Sequence, residues 1–389
     1  MTTYYVDPAA SGLQDGSSWA NAWTSLQEAI DGGMSMSPPA DGDLVLMRGE
    51  ETPSATIDWD STGGSTTGGV VTYRGVNASG VDDGTQYKIN GDSSRNTINW
   101  LTSWTTVENL EINGGNNGFY KQNYSMKYYC NFLNIYIHDC NADGVYQGTG
   151  GSNSFRWTRC RFEDNGGDGM EGGAGVVYQC VFKGNSGYGV KMTGGQYGIV
   201  LIDSLILNNN VGIWLSHYTY SFSYILGCVV DGNASTGIAL GPSGIQSVYS
   251  TRITANSGAG ISVSGTAGHV ICRCVMPGSG QDRENGAANV LVNAALIECD
   301  FAITDTDAGY VDPSGGNFQL AATATNRNVG FSADSNTTLY STAGLTPEAA
   351  AAAASSSVAT GTQIYPFRHL VEGDFKSDPD MIPHPLYAN

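Results

Sequence analysis

Two aspartates carry the strongest chemical signal in the chain: Asp143 stands directly before Gly144, and Asp168 directly before Gly169. If the chain coils so that these glycines fall in neighbouring turns, the carboxylates stack about one strand spacing apart, roughly 5 Å. That is near the separation of the carboxyl pair in a retaining glycosidase. Repulsion between stacked carboxylates would raise one pKa, leaving one group as acid and its neighbour as base or nucleophile. Counting two residues past each successive glycine puts Glu171, Lys191 and Trp214 in the next outward column. Asp143, Asp168 and Glu171 are therefore the catalytic candidates. Lys191, Trp214, His217, Tyr218 and Tyr220 are candidates for ligand binding, with Glu163 and Asp164 expected nearby. Asp before Gly is also a turn preference in its own right. A sugar-binding face without catalysis, and plain turn chemistry, thus stand beside the catalytic reading. His138 and His269 are expected in packing or on the surface. Cys272 and Cys274 are one residue apart, whereas structural zinc pairs usually need two to four. No metal site and no cofactor are expected.

Positioning these residues falls to a repeat. The segments CRFEDNGGDGM from Cys160, CVFKGNSGYGV from Cys180 and CVVDGNASTGI from Cys228 share a small residue, an apolar strand, an Asn corner and a Gly. Cys140, Cys160 and Cys180 follow one another at 20-residue steps, and later units run near 22 to 24. A βαβ unit needs about 30 residues or more, so the period is too short for one. The fixed leucines of leucine-rich repeats are missing. Short β segments joined by Gly, Asn and Asp corners predict a single all-β domain, a parallel β-helix of about ten to twelve coils. Phe162, Phe182, Ile206, Val230 and Ile253 should then line its axis. Asn165, Asn185, Asn209 and Asn233 should occupy matching corners, where Asn tolerates left-handed geometry and can pair along the axis.

Composition agrees. Glycine supplies 53 of 389 residues, without the every-third spacing of collagen. Charged residues are only 14%, and 36 acidic against 17 basic side chains give a formal charge of −19. That balance argues against nucleic acid and anionic membrane surfaces as partners. No run approaches the 18 apolar residues of a membrane span, and the N-terminus has no basic and apolar signal pattern. The eight cysteines read as reduced, buried hydrophobes.

The ends differ from the middle. Residues 1–50 read as a cap, with a strand at Tyr4-Tyr5-Val6, a helix over Trp23–Ile30 and a strand within Asp41–Gly49. Residues 51–330 form the β-helix, and 331–389 an extension with a short alanine helix opened by Thr346 and Pro347. Its last part, Ile364 to Asn389, is aromatic and proline-rich. Tyr365, Phe367, Phe375, Leu386 and Tyr387 make it a docking element.

The opening YYVDPAASG, the DGSSWANAW turn and WTSLQEAI resemble the start of pectate-lyase-like, right-handed parallel β-helix proteins. VENLEINGGNNG at Val107 to Gly118 is similar to a coil of that superfamily, and NFQLAATATNRNVG at Asn317 to Gly330 to its closing segment. The resemblance spans roughly residues 4 to 330 and implies the fold. Its chemistry ranges over lyases, hydrolases, epimerases, phage tailspikes and inert rods. Rigid, low-charge composition without a signal points to a virion component synthesised in the host cytoplasm. The expectation is a capsid-decoration or tail-associated rod, trimeric packing included, that binds other virion proteins through its tail and host surface glycan along its flank. The alternative is a polysaccharide depolymerase, a glycoside hydrolase rather than a lyase, with export by a non-classical extracellular route.

Overall fold

The computed structural model describes residues 1–33, 37–60, 63–65, 67–121, 127–148, 153–172, 175–192, 198–216, 222–242, 244–264 and 269–272, single residues 274, 276 and 285, and strand segments 290–291, 294–297, 310–312 and 317–320. His217, Tyr218 and Tyr220, the alanine helix and every docking residue of the C-terminal tail lie outside them. Among the described residues no helix is long and apolar enough to cross a membrane.

The chain begins as the sequence suggests. Strand Thr3–Val6 pairs in parallel with Leu44–Met47, which in turn pairs with Val71–Gly75. The helix spans Leu26–Asp31 and starts three residues later than its apolar spacing implies. Ser25 is the reason: its side chain accepts from the Glu28 nitrogen and fixes the N-cap there, and Gly32 closes the helix in the left-handed region at φ 84°. Buried Glu51, from the first coil, accepts from the Leu26 nitrogen at 3.1 Å and ties the cap to the solenoid. Trp23, Leu26 and Ile30 are fully buried against that end.

Beyond the cap the chain winds as a right-handed parallel β-solenoid. Among the described residues it forms a nineteen-stranded sheet, which folds around two sides, and a ten-stranded sheet on the third. Coil length varies: 34 residues separate the in-register residues Arg74 and Glu108, against 20 for Cys160 and Cys180. Long early coils enclose aromatic side chains, Trp59, Trp100, Phe119, Phe132 and Trp157, and later coils enclose aliphatic ones. Phe162, Phe182, Ile206, Val230 and Ile253 are in register and fully buried, as expected, and the two Phe rings stack at 4.8 Å. Each such side chain contributes roughly 1.5–3 kcal/mol by leaving water.

The asparagine corner is a continuous buried ladder. Asn165, Asn185, Asn209, Asn233, Asn256 and Asn285 follow one another, and from Asn185 onward each amide oxygen accepts from the main-chain nitrogen and the Nδ2 of the Asn before it. These asparagines do not supply left-handed geometry. That falls to the residue before, Asp164 at φ 53°, Gly184 at 69°, Asn208 at 54°, Gly232 at 67° and Ala255 at 52°. The amides are kept for hydrogen bonding, since a buried main-chain N–H at the corner needs a partner.

Cys140 departs from the expected column. His138 pairs with Glu163, so Cys140 aligns with Asn165, and its nitrogen donates to the Asn165 Oδ1 at 3.1 Å. The 20-residue step from Cys140 to Cys160 is therefore not a coil step. Cys160 and Cys180 do stack, and Ser204 follows in their column. The described thiols are free and buried, and burial pushes Cys228 up to about 12.

Candidate functional site

The ten-stranded sheet presents the site. Val145 pairs with Met170, Met170 with Val190, and Val190 with Ile213, which places these apolar residues inward and their neighbours outward. The residue two places before each inward position sits at the corner. Asp143 and Asp168 consequently occupy one column, as the glycine alignment implied. Gly169 is obligatory between corner and strand: a Cβ there would lie 2.7 Å from the Gly189 carbonyl oxygen and 2.9 Å from the Asn185 amide.

Asp143, Asp168 and Glu171 bring carboxylate oxygens within 4.8 Å of one another. Lys191 Nζ closes the group, 3.1 Å from Asp168 and 3.2 Å from Glu171. Burial, then the charges of Asp168 and Glu171, push Asp143 up to about 6 against the opposing hydrogen bond from the Asp168 nitrogen and the Lys191 charge. Burial works to lower the Lys191 pKa, but Asp168 and Glu171 outweigh it and hold the ammonium charged above its ordinary range. The carboxylate trio is also the described set that could hold a divalent cation; the ammonium already supplies positive charge there.

The two aspartates have structural duties as well. Asp143 Oδ1 accepts from the Asp168 nitrogen at 2.6 Å, and Asp168 Oδ1 from the Tyr188 nitrogen at 2.7 Å. Asn117 does the same one coil earlier, for the Asp143 nitrogen at 3.1 Å. Asp168 is almost fully buried, whereas Asp143 and Glu171 are half-exposed.

Outward along the same sheet, Tyr120, Tyr146, Glu171, Lys191 and Trp214 form one in-register file. Tyr120 and Tyr146 stack at 5.4 Å with an 8° interplanar angle, and Tyr188 meets Trp214 edge-on at 5.8 Å. Lys191 Nζ lies 5.5 Å from the Tyr188 ring centre. The tyrosines were missed in the sequence, although the rule that found Glu171, counting two past a glycine, also reaches Tyr120 from Gly118 and Tyr146 from Gly144.

Glu163 does not join this group. It lies on the other sheet, held by Arg161 at 2.7 Å and by the Tyr136 hydroxyl at 3.3 Å. Asp164 occupies the corner after it. The error came from linear proximity: one solenoid corner separates residues 163 and 168. His138 lies on that other sheet too, stacked on Tyr136 at 4.1 Å and 2.6 Å from Asp139. His269 is buried.

The family described as "Right handed beta helix region" matches residues 66–224. With the parallel coils above, this decides the architecture. The protein folds as a right-handed parallel β-helix. Two solved structures are similar to this β-helix. The crystal structure of pectate lyase Pel9A is 16% identical, with a TM-score of 0.58 over 85% of this chain and 92% of that one. The Azotobacter vinelandii mannuronan C-5 epimerase AlgE4 A-module is 14% identical, with a TM-score of 0.53 over 77% and 95%. No curated protein sequence matches the chain. Identities this low speak to the β-helix fold alone.

Proposed function

We propose that the protein acts on polysaccharide, which lies along the outer file of the ten-stranded sheet and is cleaved by glycoside hydrolysis at Asp143 and Glu171. One observation carries the reading: three carboxylates within 4.8 Å of one another, one of them titrating near 6, flanked in a single file by Tyr146 and Trp214. Aromatic faces bind the apolar faces of sugar rings. Asp143, protonated for part of the time near neutrality, is the general acid that protonates the leaving oxygen. Glu171 is the half-exposed partner carboxylate, and the spacing fits attack at the anomeric carbon rather than through an intervening water. Asp168, buried and bonded to Tyr188 and Lys191, holds both in place. The structurally similar pectate lyase and mannuronan epimerase lend support to carbohydrate as the substrate class. Elimination chemistry is less well served, because it needs a base and Lys191 is held protonated. The charge of −19 favours a glycan with few charges of its own.

A second reading is a glycan-binding rod of a virus particle that does not cleave its ligand. It is favoured by the hydrogen bonds that commit one oxygen of Asp143 and one of Asp168 to the next coil.

The test is reducing-end release from a panel of capsular and exopolysaccharides, with the product's ultraviolet absorbance reporting any unsaturated ends. Wild type should release ends, and Asp143→Asn and Glu171→Gln should each abolish release without loss of the fold. Retained release in both variants refutes the hydrolytic site. Binding without release in wild type supports the attachment rod.

A further inference from the structure

The inward column of Phe162, Ile137, Ile112 and Ile89 ends in a carboxyl. Glu51 of the first coil is in register with Ile89, which pairs with Ile112, then Ile137, then Phe162. Those four are fully buried, and Glu51 is only 7% exposed. Its Oε2 accepts from the nitrogen of Leu26, the first residue of the cap helix, at 3.1 Å. Its Oε1 finds no hydrogen-bond partner among the described residues. The Tyr87 hydroxyl, fully buried on the next coil, is near enough to act on the Glu51 charge. A proton on Oε1 can be donated toward that hydroxyl oxygen, whereas the ionised carboxylate can only accept. On its exposed side the cap helix is tied by Gln27, whose amide bonds the Asp58 main chain at 2.8 and 3.3 Å.

The surrounding charges do not favour ionisation. Glu28 of the cap helix repels a charged Glu51, while Asp7 acts on Tyr87 and Asp31 on Tyr73. Glu50, next in the chain, faces outward and takes a bond from Asn90. The cations of this end are committed elsewhere, Arg48 to Asp7 at 2.8 Å, Lys88 to Glu111 at 3.2 Å and Arg74 to Glu108. We infer that the protonated Glu51 carboxyl clasps the N-terminal cap onto the first coil, and that its ionisation loosens the clasp. A buried carboxylate with one donor and no cation is costly, and an opened cap returns it to water. Burial is the largest cause, opposed in part by the Leu26 N–H and the Tyr87 hydroxyl and reinforced by Glu28, and it pushes Glu51 up to about 7 from the ordinary 4.5. The closed cap therefore binds this proton more tightly than the open one. It is tightest below pH 4.5, loosens as pH rises to 7, and changes no further above that through this group.

Hydrogen exchange of the Leu26–Asp31 amides in the full chain, corrected for the intrinsic effect of pH on exchange, reads the opening of the cap. Between pH 5 and pH 7 the opening equilibrium should increase about tenfold or more in wild type. It should stay level in Glu51→Gln, which keeps an acceptor for the Leu26 nitrogen and has no charge to gain. Asp143→Asn should retain the wild-type increase, which separates the clasp from the other raised carboxyl. Should Glu51→Gln fail to fold, Tyr87→Phe serves instead: it removes a hydroxyl that eases ionisation and should enlarge the increase. A level response in wild type overturns the inference, as does the same increase in Glu51→Gln or its loss in Asp143→Asn. An increase no larger in Tyr87→Phe than in wild type counts against it equally.

Discussion

The Asp168 main-chain nitrogen donates to Oδ1 of Asp143 across one coil, at 2.6 Å, and the same Asp143 carboxyl titrates near 6. One oxygen is thus a structural rung while the group as a whole resists ionisation. The folded-state pKa of about 6 lies above the ordinary 3.8, so the native state binds more protons than the unfolded chain between those values. Stability is therefore greatest below pH 4 as far as this group is concerned, and falls as pH rises to 6. Asp143→Asn keeps the acceptor and removes the charge. It should raise stability at pH 8 by about 1–2 kcal/mol, after discounting for partial exposure, and change little at pH 4. Urea denaturation of both forms at the two pH values measures this, and an equal difference at both would contradict it.

Lys191 is the counter-charge of the site, touching Asp168 and Glu171. Lys191→Met removes a positive charge that works to lower the Asp143 pKa, so that pKa should rise further. On the hydrolytic reading the pH–rate profile of reducing-end release should move to higher pH by about one unit. A profile that loses height without moving would assign Lys191 to substrate contact alone.

Trp214 and Tyr146 stand in the outward file on either side of the Glu171–Lys191 pair. Both are half-exposed, so removing either ring should not unfold the coil. Trp214→Ala and Tyr146→Ala should each weaken glycan binding by about tenfold, in line with roughly 1–1.5 kcal/mol for an aromatic contact, with the melting temperature held within a few degrees. Affinity electrophoresis in polysaccharide gels reports the binding, and undiminished retardation would remove this file as the ligand path.

Much of this was readable in the sequence because a solenoid converts linear offsets into spatial columns. The Gly-aligned aspartates, the Phe162-to-Ile253 axis and the Asn ladder all depend only on counting from a corner. What failed depended on coil length. Cys140 fell into the wrong column because its 20-residue step matched a true one by chance, whereas its coil partner is Asn165. Glu163 was placed beside Asp168 because five residues look close, yet a corner turns them onto different sheets. The burial of Leu207 and Arg252 could not be foreseen, because alternation says only that they point outward.

Asn209 tests how much the ladder holds. Its Oδ1 accepts from the Asn185 nitrogen at 3.1 Å and from Asn185 Nδ2 at 2.8 Å, and its Nδ2 donates to the Phe182 carbonyl at 3.0 Å and to Asn233 at 3.2 Å. Asn209→Ala leaves partners on both neighbouring coils buried and unsatisfied, at roughly 1–3 kcal/mol each before relaxation. Water entering the vacated space would recover part of that, so a net loss of about 3 kcal/mol is expected. Asn209→Asp separates the two halves of the amide: it keeps both acceptor bonds and turns the donors into a buried charge facing the Phe182 carbonyl and Asn233 Oδ1. It should be as damaging as Ala at pH 7 and recover in acid, where the protonated carboxyl can donate again. Equal stability of the Asp and Ala variants at every pH, acid included, would mean that neither the acceptor nor the donor bonds of this amide hold the corner, and would contradict the ladder's contribution.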